Sequence, residues 1–265
     1  MDKRTDMIEG FYGDGREEGR LMRTRHGQME YLTTMSCIDR YALRPCRVLE
    51  LGAGTGRYSV ALAEKGHQVT AVELMDKNYE LLQANTAPYP NVAAVQGDAL
   101  DLSRWETDAF DMVLSMGPLY HLYDQVSFDR AIDEAIRVTR PDGILMFAFL
   151  SVHAILYCNY LQPEPQTVRA GMEENFTEDF RIRHFPEQVF TGFDVAEFEA
   201  LFEGKPVSHL CTVAADGILE LAEDRADFLL SDEDFAAYAA YHLRFCEKRE
   251  LLGSSSHLLY VGKKK

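Results

Sequence analysis

Three alternate glycines follow a short apolar stretch in this chain: Val48-Leu49-Glu50-Leu51-Gly52-Ala53-Gly54-Thr55-Gly56. Arg47 to Leu51 reads as a strand. Tyr58 to Lys65 reads as a helix with Ala and Leu on one face and Gly66 as its C-terminal cap. A strand that feeds a helix through a glycine turn opens an α/β sheet, and such sheets bind nucleotides at that turn. Glycine lets the backbone approach a ligand closely and adopt positive φ where the chain reverses. Three of them cost backbone entropy without packing gain, so the pattern favours ligand approach over a plain turn.

The alternation continues downstream. Gln68 to Glu73, Val92 to Gln96, Phe110 to Met116 and Gly143 to Leu150 read as strands; Asp76 to Thr86 and Phe128 to Thr139 read as helices. Strands alternating with helices imply crossover connections and a parallel sheet covered on both faces. Val207 to Ala214 and His257 to Gly262 add two strands, expected as an antiparallel pair at the edge. The expected fold is therefore a doubly wound, seven-stranded, Rossmann-like α/β sheet. We expect a single domain over 1–265: a helical cap (1–44), a cofactor-binding core (45–150), a lid or substrate insertion (151–204) and C-terminal strands and helices (205–265). Within the cap, residues 16–43 carry Leu21, Met22, Met29, Leu32, Met35, Ile38 and Leu43 at mostly helical spacing, and Pro45 ends the segment. Residues 151–190 read as irregular, Asp194 to Phe202 as a short helix that Gly204 ends, and Asp234 to Glu247 as helical.

A dinucleotide site wants G-x-G-x-x-G with the pyrophosphate on the helix N-terminus. Here the third glycine comes one residue early, and Glu50 stands two residues before the first. A carboxylate there repels a pyrophosphate and suits an ammonium or sulfonium charge. That spacing disfavours a nicotinamide dehydrogenase. At this point the chain resembles the class I S-adenosylmethionine-dependent methyltransferases, whose first motif is an acid followed by x-G-x-G-x-G. The likeness runs on in order through Glu73 at the end of the second strand, Gly97-Asp98-Ala99 after the third, Phe110 to Leu114, and Arg140-Pro141-Asp142-Gly143. It is strong over roughly residues 45–150. Gly117-Pro118-Leu119-Tyr120-His121-Leu122 and Ser256 to Gly262 resemble a bacterial small-molecule subfamily.

The resemblance implies S-adenosylmethionine as cofactor, with Glu50, Gly52, Ala53, Gly54 and Gly56 around it. It puts Glu73 on the ribose hydroxyls, a role that suits a carboxylate because it accepts two hydrogen bonds from a vicinal diol. It puts Asp98, beside Ala99, on the adenine amino group, Leu74 and Met75 beside the adenine, and the backbone of Ser115 and Met116 on the methionine part. Tyr120 and His121 follow the fourth strand near the transferable methyl. A His there is a candidate general base near neutral pH, and His153 past the fifth strand is a second candidate. Tyr12 and Arg20, or Arg25 in place of Arg20, are candidates to close over the cofactor. Phe176, Phe180, Phe185, Phe190, Phe193, Phe198 and Phe202 read mostly as core, with those before Phe193 as candidates to line an apolar pocket.

The reaction implied is methyl transfer to an O, N or C nucleophile of a small molecule. A non-catalytic S-adenosylmethionine or S-adenosylhomocysteine sensor is the alternative. A large pocket lined by residues 115–123 and 150–190 favours the enzyme; its absence favours the sensor. The 43 Asp and Glu against 27 Lys and Arg give a net charge of −16, which disfavours a nucleic-acid partner. No apolar run is long enough to span a membrane, and MDKRTDMIEG carries no secretory h-region. Five scattered cysteines without CxxC spacing suit reduced thiols in a cytoplasmic protein, monomer or homodimer. The eight histidines show no metal-ligand spacing, so no metal is expected.

Overall fold

Strand β1 (Arg47–Leu51) is buried from Val48 onward, as a central parallel strand with helices on both sides must be. The computed structural model, which describes residues 3–12, 17–161, 167–223, 225 and 227–265, sets β1 between two parallel neighbours. These are β2 (Gln68–Glu73), with Glu50 opposite Ala71, and β4 (Phe110–Ser115), with Glu50 opposite Leu114. β3 (Val92–Gln96) pairs with the far side of β2, and β5 (Thr139–Ser151) with the far side of β4. β8 (His257–Lys264) is antiparallel to β5, and β7 (Val207–Ala214) is antiparallel to β8. The order is β3-β2-β1-β4-β5-β8-β7. The doubly wound, mostly parallel sheet with an antiparallel edge is thus as expected.

Two details differ. A further strand, β6 (Gly192–Phe193), pairs with Leu150 and Ser151 of β5, so the described residues hold eight strands; two residues are too few to register as a period. β5 begins at Thr139 rather than Gly143. A register shift against β4 between Phe110 and Met112 takes the Arg140–Gly143 turn into the strand, with Asp142 at φ 62°.

The helices before and between the strands are α1 (Lys3–Tyr12), α2 (Arg20–Arg23), α3 (Arg25–Tyr41), α4 (Arg57–Glu64), α5 (Asp76–Thr86) and α6 (Gln125–Val138). After β5 come α7 (Val152–Tyr160), α8 (Val168–Asn175), α9 (Val195–Ala200), α10 (Leu219–Glu223), α11 (Asp232–Phe245) and α12 (Arg249–Leu252). The helix expected over 16–43 starts in residues outside those described and breaks at Thr24. That residue is extended and its hydroxyl accepts from Gly27 N at 3.1 Å, capping α3. The stretch 151–190 is not wholly irregular: it holds α7 and α8, while 162–166 lie outside the described residues. α7 is apolar nearly all round, so it carries no amphipathic period, but Ser151 caps it by accepting from Ala154 N at 3.2 Å.

The sheet buries a cluster on each face. Leu49, Leu51 and Val113 pack with Phe128 and Ile132 of α6 and with Phe198 of α9; Val48, Met112 and Met146 pack with Ile38 of α3 and Leu62 of α4. Phe193, Phe198 and Phe202 are core, whereas Phe180 is exposed. The Phe198 ring stacks on Phe149 at 3.9 Å and 4°, and Phe202 on Tyr260 at 3.9 Å and 7°. Among the described residues no helix is long and apolar enough to cross a membrane, and the five cysteines are free. Phe198 is fully buried, so Phe198→Ala should lower the unfolding free energy by about 3–5 kcal/mol. Urea titration should show this as a reduced midpoint at unchanged slope.

Candidate active site

The turn after β1 is tied to the end of β2. Gly52 and Ala53 both donate to Val72 O, at 2.9 and 3.0 Å. Glu73 then bridges two backbone amides: Gly54 N donates to Oε2 at 2.8 Å and Met75 N to Oε1 at 2.9 Å. Gly52 has φ 72°, and a Cβ there would stand 2.8 Å from Pro118 Cδ, so this position admits glycine on two counts. Burial pushes Glu73 up to about 6, against the opposing pull of the Met75 and Gly54 amides. Glu50 is 1% exposed and accepts from Ser59 Oγ of α4. Burial lifts it to about 7; the Ser59 bond opposes this and the Glu73 charge adds to it.

Three cavities meet beside this turn. One of about 390 Å³ runs along Glu50, Gly52–Gly56 and Tyr58. One of about 100 Å³ is walled by Glu73, Leu74, Met75, Asp98 and Ala99, with Arg4 and Ile8 of α1 across from them. The third, about 690 Å³, lies under α7 and α8 and reaches Leu150, Tyr160, Asn175 and Phe190. Glu17, Arg20 and Tyr120 line all three.

Most residues singled out from sequence therefore come together. Met116 lines the first two cavities, and its N–H donates to Leu51 O at 2.9 Å. Ser115 is buried and is in none of the three linings. Asp98 lines the small cavity, but it already pairs with Arg4 and accepts from Leu100 N at 3.0 Å. Tyr12 OH lies 3.3 Å from His121 Nε2. His121 Nδ1 must donate to Val189 O, 2.7 Å away, so Nε2 is the acceptor. Burial holds His121 down at about 4 and pushes the Tyr12 and Tyr120 phenols up.

Two expectations need correction. His153 lines none of the three cavities; its ring stacks on Phe176 at 6.2 Å. His153 falls in the first turn of α7, which starts at Val152, while Ala154 and Ile155 of the same turn line the large cavity. Arg25 is also outside them: it donates to Asp232 at 2.5 Å and lies 4.7 Å over Phe235, because it opens α3 beside α11.

A methyltransferase domain family matches residues 48–143, from β1 into β5. Ubiquinone biosynthesis O-methyltransferase of Methylocella silvestris is 30% identical over 193 residues, covering 69% of this chain and 70% of that protein. The chain belongs to the class I S-adenosylmethionine-dependent methyltransferases. Its cofactor is S-adenosylmethionine. A Burkholderia thailandensis methyltransferase, solved with 1,6-didemethyltoxoflavin and S-adenosylhomocysteine, shares the fold at TM-score 0.61 and 16% identity, over 99% of this chain and 87% of that one. Ribosomal RNA small subunit methyltransferase A of Geobacter sulfurreducens is 38% identical over 97 residues, 35% of each chain. The chain spans 46% and 41% of the length of two further curated relatives it matches.

In this methyltransferase a partly buried charge chain, which the sequence does not reveal, runs behind the glycine turn. Arg20 donates to Glu17 Oε1 through Nε at 3.0 Å, and to both Glu30 oxygens through Nη1 and Nη2 at 2.7 and 3.0 Å. Arg20, a candidate to close over the cofactor, is thus a guanidinium already gripped by two acids. Burial works against the ionised form of Glu30, yet Arg20 and His257 hold it down at about 2. His257 Nδ1 lies 2.8 Å from Asp216 Oδ2 and 3.9 Å from Glu30. Burial depresses His257, but Glu30 and Asp216 outweigh it and lift the ring to about 9. Asp216, Glu220 and His257 bring three ligand-type atoms within 4.8 Å of one another, a grouping that sequence spacing does not reveal.

Because the folded-state value of His257 exceeds the free one, its contribution to stability is complete below about pH 6.5 and lost as pH climbs through about 9. Urea unfolding at pH 6, 8 and 10 should show a loss on the order of 3 kcal/mol, much reduced in Asp216→Asn.

Proposed function

We propose that the chain, acting as one methyltransferase domain, moves the methyl group of S-adenosylmethionine to a nucleophile on a small molecule held in the 690 Å³ cavity. The observation that carries this reading is the size and position of that cavity. Its lining draws on Tyr120 and on residues 150–190, and it shares Glu17, Arg20, Tyr120 and His257 with the cavity along the glycine turn. A sensor has no need of a second chamber at that place. The acidic excess supports a small acceptor over a nucleic acid.

In this reading Glu73 takes the two ribose hydroxyls, one on each oxygen, while its amide bonds keep the turn in place. Leu74, Met75 and Ala99 pack on the adenine, and Glu50 offers its charge to the cationic end of the cofactor. The bound sulfonium supplies an already activated methyl. The protein's own task is to align the acceptor and exclude water. His121 is poorly suited as base, since both ring nitrogens are engaged; it orients Tyr12 over the cofactor instead.

Calorimetry with S-adenosylhomocysteine and with NAD tests the reading; binding of NAD alone defeats it. Glu73→Ala should weaken S-adenosylhomocysteine by about 1.5–3 kcal/mol, the value of hydrogen bonds to a charged group. Binding of cationic S-adenosylmethionine should strengthen as pH rises toward about 7, because Glu50 must ionise to meet it. At pH 6 the measured enthalpy should depend on the buffer, reporting proton release, and Glu50→Gln should reduce the dependence to the share that Glu73 contributes.

A further inference from the structure

Four side chains line both the cofactor-turn cavity and the larger one beyond it: Glu17, Arg20, Tyr120 and His257. A methyl group crossing from one to the other passes among them. Three are committed elsewhere. Arg20 is bound to Glu17 and Glu30, Glu17 is bound to Arg20, and Tyr120 is held protonated by burial. His257 differs. Its Nδ1 faces Asp216, while Nε2 has no protein partner among the described residues.

Asp216 is a rigid support for that ring. It is fully buried, and its carboxylate accepts from Ser255 Oγ at 2.6 Å, Ser256 N at 3.0 Å, His257 N at 3.2 Å and His257 Nδ1 at 2.8 Å. With Nδ1–H pinned to a carboxylate, Nε2 is the atom left to exchange a proton. The neighbouring Glu220 brings a third carboxylate close. Both Asp216 oxygens are nevertheless filled by donors, His257 among them, so the trio is a hydrogen-bonded dyad with an acidic neighbour rather than a cation cage.

We propose that His257, oriented by Asp216, is the general base of the transfer, and that the methyl acceptor is an acidic hydroxyl of phenol or enol type. This rests on the function proposed above and specifies its acceptor side. The charged and titratable groups around His257 are Asp216 before α10, Glu220 on α10, Glu30 and the His26–Glu223 pair on and against α3, Glu17 and Arg20 at α2, Tyr120, and Cys158 of α7. Of the acids closest to His257, Glu30 turns both oxygens onto Arg20, and Asp216 spends its own on Nδ1, Ser255 and the backbone, with Glu220 beside them. The acceptor therefore meets Nε2 of a ring that is protonated at rest. A hydroxyl oxygen has a lone pair for that N–H; an ammonium has none and is repelled.

The proton balance agrees with this. A ring lifted to about 9 lies within about a unit of a phenol near 10, so exchange between them costs little. The acceptor O–H gives its proton to Nε2 of the neutral ring. The oxygen's electron pair forms the O–CH₃ bond as the C–S bond breaks, its pair passing to sulfur to leave a neutral thioether. The imidazolium then returns its proton to water.

Transfer of labelled methyl from S-adenosylmethionine to 2-naphthol, 4-nitrophenol and benzylamine tests the proposal. Both phenols should be methylated and benzylamine should not. For 2-naphthol, kcat/KM should rise with pH and level near 9. His257→Gln should slow 2-naphthol by about 10²–10⁴-fold, the usual worth of a general base. It should slow 4-nitrophenol, which ionises unaided, less than about tenfold. NMR titration of the His257 ring in cofactor-free protein gives a readout without turnover. Asp216→Asn should move that titration, and the rising limb of the rate profile, to lower pH.

Preference for benzylamine, equal slowing of both phenols, or a ring titration that Asp216→Asn leaves in place would each overturn the assignment. So would a rate lost on chelation and restored by Mg²⁺. If S-adenosylhomocysteine binds but neither phenol is methylated, this inference alone falls. If it does not bind, the proposed function falls with it.

Discussion

The bridge that Glu73 makes between Gly54 N–H and Met75 N–H is the interaction on which the cleft depends. One amide belongs to the turn after β1 and the other to the chain leaving β2, so one carboxylate sets the distance between two loops. Each bond to an ionised acceptor is worth about 1.5–3 kcal/mol, enough to offset much of the cost of burying the group. Without it the glycine turn would keep only its Gly52 and Ala53 bonds to Val72 O, and Gly54 would lose the tie that fixes its positive-φ backbone. Flexibility makes the turn possible, and Glu73 makes it a single shape. The same carboxylate is left with lone pairs facing the small cavity, so the group that shapes the site also faces what enters it.

Behind that bridge buried and half-buried charges alternate in sign: Glu17, Arg20, Glu30, His257, Asp216. Charges leave water at an acceptable cost only when each has a partner and its hydrogen bonds are filled. Here every member but Glu17 at the near end touches two others or a set of fixed donors, and the sign of each depends on its neighbours. Glu30 is ionised because Arg20 and His257 flank it, and His257 is charged because Glu30 and Asp216 do. The chain runs from the N-terminal cap at α2 to the turn that follows β7. It therefore links the cavity along the glycine turn to the larger one beyond it without any element having to span both.

Sequence revealed the glycine-turn side of the cleft well and the larger cavity poorly, for a physical reason. The glycine turn, Glu50 and Glu73 are read from local strings, because strand ends deliver consecutive residues to one crevice. Asp98 was equally legible in place, but its pairing with Arg4 was not, since α1 is folded over it from 94 residues away. His257 was in plain view within Ser256–Gly262 but had no local partner to mark it. Asp216 lies 41 residues earlier, and only the antiparallel return of β8 beside β7 brings the two together. α7 escaped for the opposite reason. Its nine residues are apolar on nearly every side, so periodicity had nothing to read.

The two histidines at the cleft show why position in a motif is a weak guide to acid–base chemistry. His121 sits in the segment after β4, where local sequence points. Its partners are a carbonyl and a phenol, neither of which carries charge, and burial outweighs the Val189 hydrogen bond to hold the ring down at about 4. His257 is as deeply placed but faces two carboxylates, and the same burial is overcome to give a ring near 9. The two are thus shifted in opposite directions, on one residue type in one cleft. That difference comes from partners supplied by distant strands and helices. A base for a weakly acidic hydroxyl has to be sought where the fold gathers carboxylates around a ring, and in this molecule that place is the start of β8.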